Sequence, residues 1–222
     1  MSPVNRLSAK AVEEEGRASV MAIVPGRAEH AERVALRRSH YTLMRDAVER
    51  VRGSVPGKLE ITAEGIVHDL GVPQRAHALT VHRVSRRLER VLPSGLVAHA
   101  GSPDVENVRE GVLRRPDVIV VAEPDMAGQG AFDPRTLLAV IEVVSASRPD
   151  NDWVGKLRDY PLLGIPVYAI FDPHHGEGAV LSRIRRDSCG RPRYTHRTDF
   201  GYGEEVAIGE WSIHTGDLPR YH

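Results

Sequence analysis

The chain has 222 residues, 41% of them hydrophobic, 27% charged and only 5% aromatic, a globular composition whose core must come mainly from Val, Leu, Ile and Ala. Lys plus Arg and Asp plus Glu balance at 30 each, which excludes tight nucleic-acid binding by overall charge and leaves only a local patch. The longest apolar runs, such as Val118–Ala122 and Leu137–Ile141, fall far short of the ~20 residues of a membrane span, no secretory signal is evident, and the single Cys189 has no disulfide partner, so the expected compartment is the cytoplasm.

Residues 1 to 27 carry the acidic run Glu13–Glu15 and little periodicity, and are expected to be a flexible tail. Residues 28–222 are expected to form a single domain. From Glu29 to Arg52 the pattern is helical, with Tyr41, Met44, Val48 and Val51 at three- and four-residue spacing and Gly53 as a stop. Lys58–Thr62 and Gly65–Leu70 read as two short strands of a hairpin. From Gln74 to Leu92 a helix carries the apolar stripe Val81, Val84, Leu88 and Val91. Arg83, Arg86, Arg87 and Arg90 lie opposite. That arginine face is either a phosphate-contacting surface or a solvated exterior, and the second is favoured.

Leu96–Ala100 is a strand candidate and Ser102–Gly111 a polar loop. Asp117–Ala122 and Leu137–Val144 are continuous apolar strands, separated by a Gly- and Pro-rich loop. A helix is expected from Asp150 to Tyr160, with Asp150 or Asp152 capping it and Pro161 stopping it about one turn early. Pro166–Phe171 is another buried strand. Val180–Arg185 and Arg193–Thr198 read as an exposed antiparallel pair. Continuous apolar strands around a helix imply an α/β fold, with a mixed sheet covered on both faces.

Glu142 stands inside the run LLAVIEVVS. An ionised carboxylate in a buried strand is strongly unfavourable unless it is paired or binds a metal. The two-residue strand period puts Val140, Glu142 and Val144 on one face and Ile141 and Val143 on the other. Asp117, at the start of PDVIVVA, meets Glu142 if the strands are neighbours, and two such carboxylates suit Mg²⁺ or Mn²⁺. The plainer readings are that Asp117 initiates a strand, that Glu142 has a buried arginine partner, and that Lys156 forms only a helical ion pair with Asp152. Lysine is scarce, with only Lys10, Lys58 and Lys156 in the chain. Ser145 lacks Asp and His partners at the spacing of a nucleophilic triad.

The stretch PDVIVV, then IEVVSAS, then Asp152, Lys156 and Tyr160, then GIPVYAIFDP resembles the Uma-type restriction-endonuclease family of the PD-(D/E)XK nuclease superfamily. Upstream, LEITAEGIVHD and His77 with the following helix resemble the family's N-terminal hairpin and helix. The resemblance spans roughly residues 55 to 185. It implies a restriction endonuclease-like mixed sheet flanked by helices, preceded by an N-terminal helix and hairpin. It implies a metal site at Asp117 and Glu142 with Mg²⁺ or Mn²⁺, and a Mg²⁺-dependent endonuclease acting on DNA. The superfamily's usual lysine, two residues after the Glu, is replaced here by Val144, and the family pattern supplies Lys156 from the next helix.

Glu60 matches the family's N-terminal Glu, as a further ligand, an orienter or merely a surface carboxylate. His77 matches a recurrent histidine or makes a local hydrogen bond. Tyr160 touches substrate or packs its helix on the sheet. Arg148 stands where the family has Thr and offers a phosphate contact. The basic hairpin of Arg185, Arg186, Arg191, Arg193, His196 and Arg197 flanks nucleic acid or, slightly favoured, is a soluble edge. A homodimer, with the N-terminal helix as contact, is implied because superfamily nucleases that cut both strands commonly pair. The alternatives are a non-catalytic protein that keeps the fold to bind nucleic acid or a partner, and a hydrolase of small phosphoesters.

Overall fold

A computed structural model describes residues 27–70, 75–145 and 150–221. The expected tail before Arg27, and Arg148, lie outside the described residues. Helix α1 (Arg27–Arg52) is followed by the hairpin β1 (Lys58–Thr62) and β2 (Gly65–Asp69), then by α2 (Arg75–Val91) and β3 (Leu96–Ala100). Two three-residue strands, β4 (Val105–Asn107) and β5 (Val112–Arg114), precede β6 (Val118–Ala122) and β7 (Leu137–Val143). A π-helical turn (Asn151–Lys156) runs into α3 (Leu157–Leu163), which leads to β8 (Val167–Asp172). The hairpin β9 (Glu177–Arg186) and β10 (Pro192–Gly201) and the small hairpin β11 (Glu205–Ile208) and β12 (Trp211–His214) complete the chain.

The main sheet has six strands in the order β10-β9-β8-β7-β6-β3. It is mixed: β7 and β8 are parallel, joined through the π turn and α3, while the other neighbours are antiparallel. A parallel pair needs a crossover of this kind. The central strands are apolar throughout because both faces are covered. Ile141, Val143, Val118, Ala169 and Phe171 pack with Val84 and Leu88 of α2 and with Ile213 of β12. The alternate residues Val140, Val144, Ile119, Tyr168 and Ile170 pack with Tyr160 and Leu163 of α3. The expected alternation around Glu142 therefore holds.

A second sheet, in the order β2-β1-β5-β4, joins the N-terminal hairpin to the two short strands. The polar-loop reading of Ser102–Gly111 is corrected here, since β4 lies within it. Three-residue strands are too short to show a period of two. Tyr41 and Val48 of α1 are buried against Leu59, Ile61 and Leu113 of this sheet, with Met44 beside them, whereas Val51 is exposed.

Two expectations about the helix after β7 also change. Asp150 makes no side-chain capping bond, and the Asp152 carboxylate is turned to Lys156 instead. Pro161 does not stop the helix, which runs on to Leu163. Its end is set by Gly164 at φ 81, whose N–H donates to the Pro161 carbonyl while Ile165 N–H donates to Tyr160 O at 3.1 Å. These are the paired bonds of a Schellman motif, for which glycine's left-handed freedom is the requirement. Among the described residues no helix is long and apolar enough to cross a membrane.

Candidate active site

Asp117 sits one residue before the Val118–Ile141 pair that joins β6 to β7, which places it beside Glu142 at the ends of two neighbouring strands. The two acids are stitched together by backbone. Asp117 N–H donates to Glu142 Oε2 at 3.3 Å, and Val143 N–H donates to Asp117 Oδ2 at 2.9 Å. Both carboxylates are buried.

Lys156 reaches the same point from the π turn. Its Nζ lies 2.8 Å from Glu142 Oε1, 2.8 Å from Asp152 Oδ1 and 4.0 Å from Glu60 Oε1. The helical ion pair with Asp152 and the long-range pair with Glu142 coexist on one ammonium. A π turn widens the helix by one residue and is frequent at functional sites. Here it sends Asn151, Asp152 and Lys156 inward, and α3 continues the same face with Asp159 and Tyr160. The Tyr160 hydroxyl donates to Glu142 Oε1. Its ring is buried and packs with Tyr168 against the sheet, in line with the packing reading of this residue. Among the described residues Glu142 has no arginine partner, and its cationic partner is Lys156.

His77, at the start of α2, places one ring nitrogen between two oxygens: Nε2 is 3.1 Å from Val143 O and 3.2 Å from Asp117 Oδ2. These are long-range contacts and not a local helix-start bond. Glu60 is buried, so its surface reading is corrected. Its Oε2 accepts from Arg114 Nη1 at 2.7 Å and Asn151 Nδ2 at 3.2 Å, and its Oε1 accepts from Arg115 N–H at 2.8 Å. Both oxygens are occupied by this chain's own donors, which favours an orienting role over a further ligand.

Sequence reasoning missed four participants, Arg114, Asp159, Asn151 and Lys58. Arg114 is buried and forks to Glu60 and to Asp159 Oδ2, the latter at 2.7 Å from Nη2. Asn151 accepts from Arg114 Nη1 at 3.0 Å. Lys58 donates to Asp117 Oδ1 at 2.6 Å and to the Arg115 carbonyl at 3.2 Å. A signal for Lys58 was present: it lies two residues before Glu60 on a strand, hence on the same face, and it is one of the chain's few lysines. Arg114 had no such signal, because its strand is unreadable from three residues.

The electrostatics are uneven. Burial alone would raise Asp117, but Lys58 and His77 more than offset it and hold its carboxyl well below the usual carboxylate range. Burial is likewise overcome at Glu60 by Lys156 and Arg114, which hold it down at about 2. Glu142 goes the other way. Burial, with Asp117 and Asp152, pushes it up to about 8 against the pull of Lys156. Asp152 is also raised, chiefly by burial. Lys156 would be lowered by burial but is held well above its ordinary value by Asp152, Glu142 and Glu60.

Most of the other basic side chains sit apart from this centre, while Arg197 of β10 lies over the Trp153 ring of the π turn at 5.3 Å. Ala179 of β9 is level with Glu142 across Ile170, so Arg185 lies roughly 20 Å further along the strand at ~3.3 Å per residue. On α2, Arg83 and Arg87 are tied to Asp217, while Arg86 and Arg90 are exposed. Both arrangements fit a solvated exterior. Among the described residues no three His, Cys, Asp or Glu side chains are grouped so as to hold a metal ion by themselves.

A family model described as Uma2, putative restriction endonuclease, matches residues 54–212. Among solved structures, the chain is similar to a putative nuclease belonging to DUF820 from Anabaena variabilis, with a TM-score of 0.55 and 14% identity over 74% of this chain and 92% of that one. That likeness is one of fold: a mixed sheet flanked by helices, entered through a helix and a hairpin. No curated protein matches the chain.

Proposed function

Since the chain belongs to the Uma2 family of putative restriction endonucleases, we propose that it hydrolyses phosphodiester bonds of DNA with a divalent cation, Mg²⁺ or Mn²⁺, at Asp117, Glu142 and Lys156. The observation that supports this most is the meeting of Asp117 and Glu142 at adjoining strand ends with the Lys156 ammonium 2.8 Å from Glu142.

The residues fit a hard cation. Five carboxylates, Glu60, Asp117, Glu142, Asp152 and Asp159, are buried in one connected network. Against them stand Lys58, Arg114 and Lys156, with the half-exposed Arg158 paired to Asp159 at 2.9 Å. The acids still outnumber the bases, and the excess is felt at Glu142 and Asp152, the acids pushed upward, where a divalent ion would relieve it. The Asp117 carboxylate and the Val143 carbonyl already converge on one point, where the His77 nitrogen contacts both. Such oxygens suit Mg²⁺ or Mn²⁺. Asp117, Glu142 and the Val143 carbonyl would hold the ion, which when bound lowers the pKa of water and neutralises phosphate charge.

The chain's own groups do the rest. Lys156 and Tyr160 fix the Glu142 oxygen they share. His77 and Val143 N–H fix Asp117. Glu60 and Arg114 brace the π turn that carries Lys156, and this preorganisation is what electrostatic catalysis requires.

The test is cleavage of plasmid DNA in Mg²⁺ or Mn²⁺ by the purified chain and by Glu142→Ala and Lys156→Ala. Each substitution should lower the rate by at least ~10²-fold. Equal cleavage by all three proteins would mark contamination and end the reading. One observation favours a non-catalytic binding role: Lys156 is fenced by three carboxylates. Metal-stabilised folding with no turnover on any nucleic acid would establish that role instead.

A further inference from the structure

The centre contains two ammonium groups, and they are placed differently. The Lys156 side chain is only 5% exposed and is surrounded by Glu142, Asp152 and Glu60. A phosphate could reach it only by passing those acids. The Lys58 side chain is 25% exposed. An ammonium has three N–H donors, and Lys58 spends two of them, on Asp117 Oδ1 and on the Arg115 carbonyl. One remains.

Strand β1 carries Lys58 and Glu60 on the same face, two residues apart. Glu60 points to the sealed end, against Arg114 and Asn151, and Lys58 stands toward the open end. His77, 24% exposed, flanks the other oxygen of the same Asp117 carboxylate. The accessible edge of the centre is therefore lined by Lys58 and His77, above acids that on their own would repel a polyanion.

We propose that Lys58, and not Lys156, is the ammonium that binds the substrate phosphate, so that the nucleic acid enters over the Lys58–His77 edge beside the N-terminal hairpin. This rests on the nuclease reading for its substrate, but not on turnover. Lys156 then acts through Glu142, as a positioning group.

Binding of a short labelled DNA duplex in Mg²⁺ is read by fluorescence anisotropy across a range of salt, in a Glu142→Gln background so that the duplex is not cut. Lys58→Met should weaken binding by about 5–10-fold, and the slope of log affinity against log salt should become shallower by ~0.9, the loss of one phosphate contact. Lys58→Arg should restore the slope, and it keeps the comparison usable if the Met variant folds poorly. Lys156→Met should leave the slope unchanged. A slope unmoved by Lys58→Met, or one moved by Lys156→Met instead, overturns the assignment. So does failure of the background protein to bind the duplex at all. Absence of cleavage by the unsubstituted chain, with the Lys58 slope effect intact, removes the nuclease reading and leaves the phosphate contact standing.

Discussion

At the scale of single residues, the centre depends on groups that satisfy one another out of water. Glu60 shows how strongly. Three donors of this chain engage both of its oxygens, and its carboxyl is held down at about 2 from 4.5. Because the folded value lies below the unfolded one, the stability it contributes is complete above about pH 4.5 and is lost as the pH falls toward 2. Glu60→Gln keeps the shape but removes the charge that Arg114 and Lys156 face. It should cost about 3 kcal/mol at neutral pH, as breaking a buried pair does. The same substitution should flatten the acid limb of the stability curve. Denaturant unfolding of both proteins across that pH range tests this. An acid limb of unchanged steepness in Glu60→Gln would mean that other carboxylates carry it.

At the scale of elements, the main sheet was legible in the sequence and the second sheet only half so. Continuous apolar runs mark β6, β7 and β8, and Glu142 stands out because nothing apolar explains it. The N-terminal hairpin was readable from its turn, but β4 and β5 were not, and they decide where Glu60 and Lys58 end up. Asp117, Glu142 and Lys156 were therefore nameable, while Arg114, whose pairing crosses from one sheet to the π turn, was not. Nor does sequence distinguish a π turn from an α-helix, because one added residue leaves the apolar pattern almost unchanged. The packing of that turn is tight. A Cβ at Gly155 would lie 3.1 Å from Asn151 Oδ1 and 3.2 Å from Arg114 Nη2. The guanidinium cannot retreat, since Glu60 and Asp159 hold it. Gly155→Ala should therefore destabilise by about 1–3 kcal/mol, as overpacking does, and slow any cleavage through Lys156. Gly53→Ala, which meets nothing within 4 Å, is the control. Equal melting temperatures for the two variants would show that the turn yields easily.

At the scale of the molecule, an even balance of 30 basic and 30 acidic residues hides a local imbalance. The interior where the two sheets and the π turn meet holds more buried acid than base, and the far end of the β9–β10 hairpin at Arg185 and Arg193 does nothing to correct it, since charges are screened over about 8–10 Å in physiological salt. Folding must therefore work against uncompensated negative charge, and a divalent ion that binds only the folded chain should relieve it. At an ion concentration of ~100 times its dissociation constant the gain is about 2.7 kcal/mol. For a chain of this size that raises Tm by roughly 5–10 °C. Thermal unfolding with Mn²⁺, with Mg²⁺ and with a chelator measures it. Glu142→Gln, which lowers the local negative charge and removes a ligand, should abolish most of the rise while melting no lower than the original chain in chelator. A Tm indifferent to millimolar Mn²⁺ in the unsubstituted protein would mean that the excess acid is met by protons alone, and the centre would then have no use for a metal.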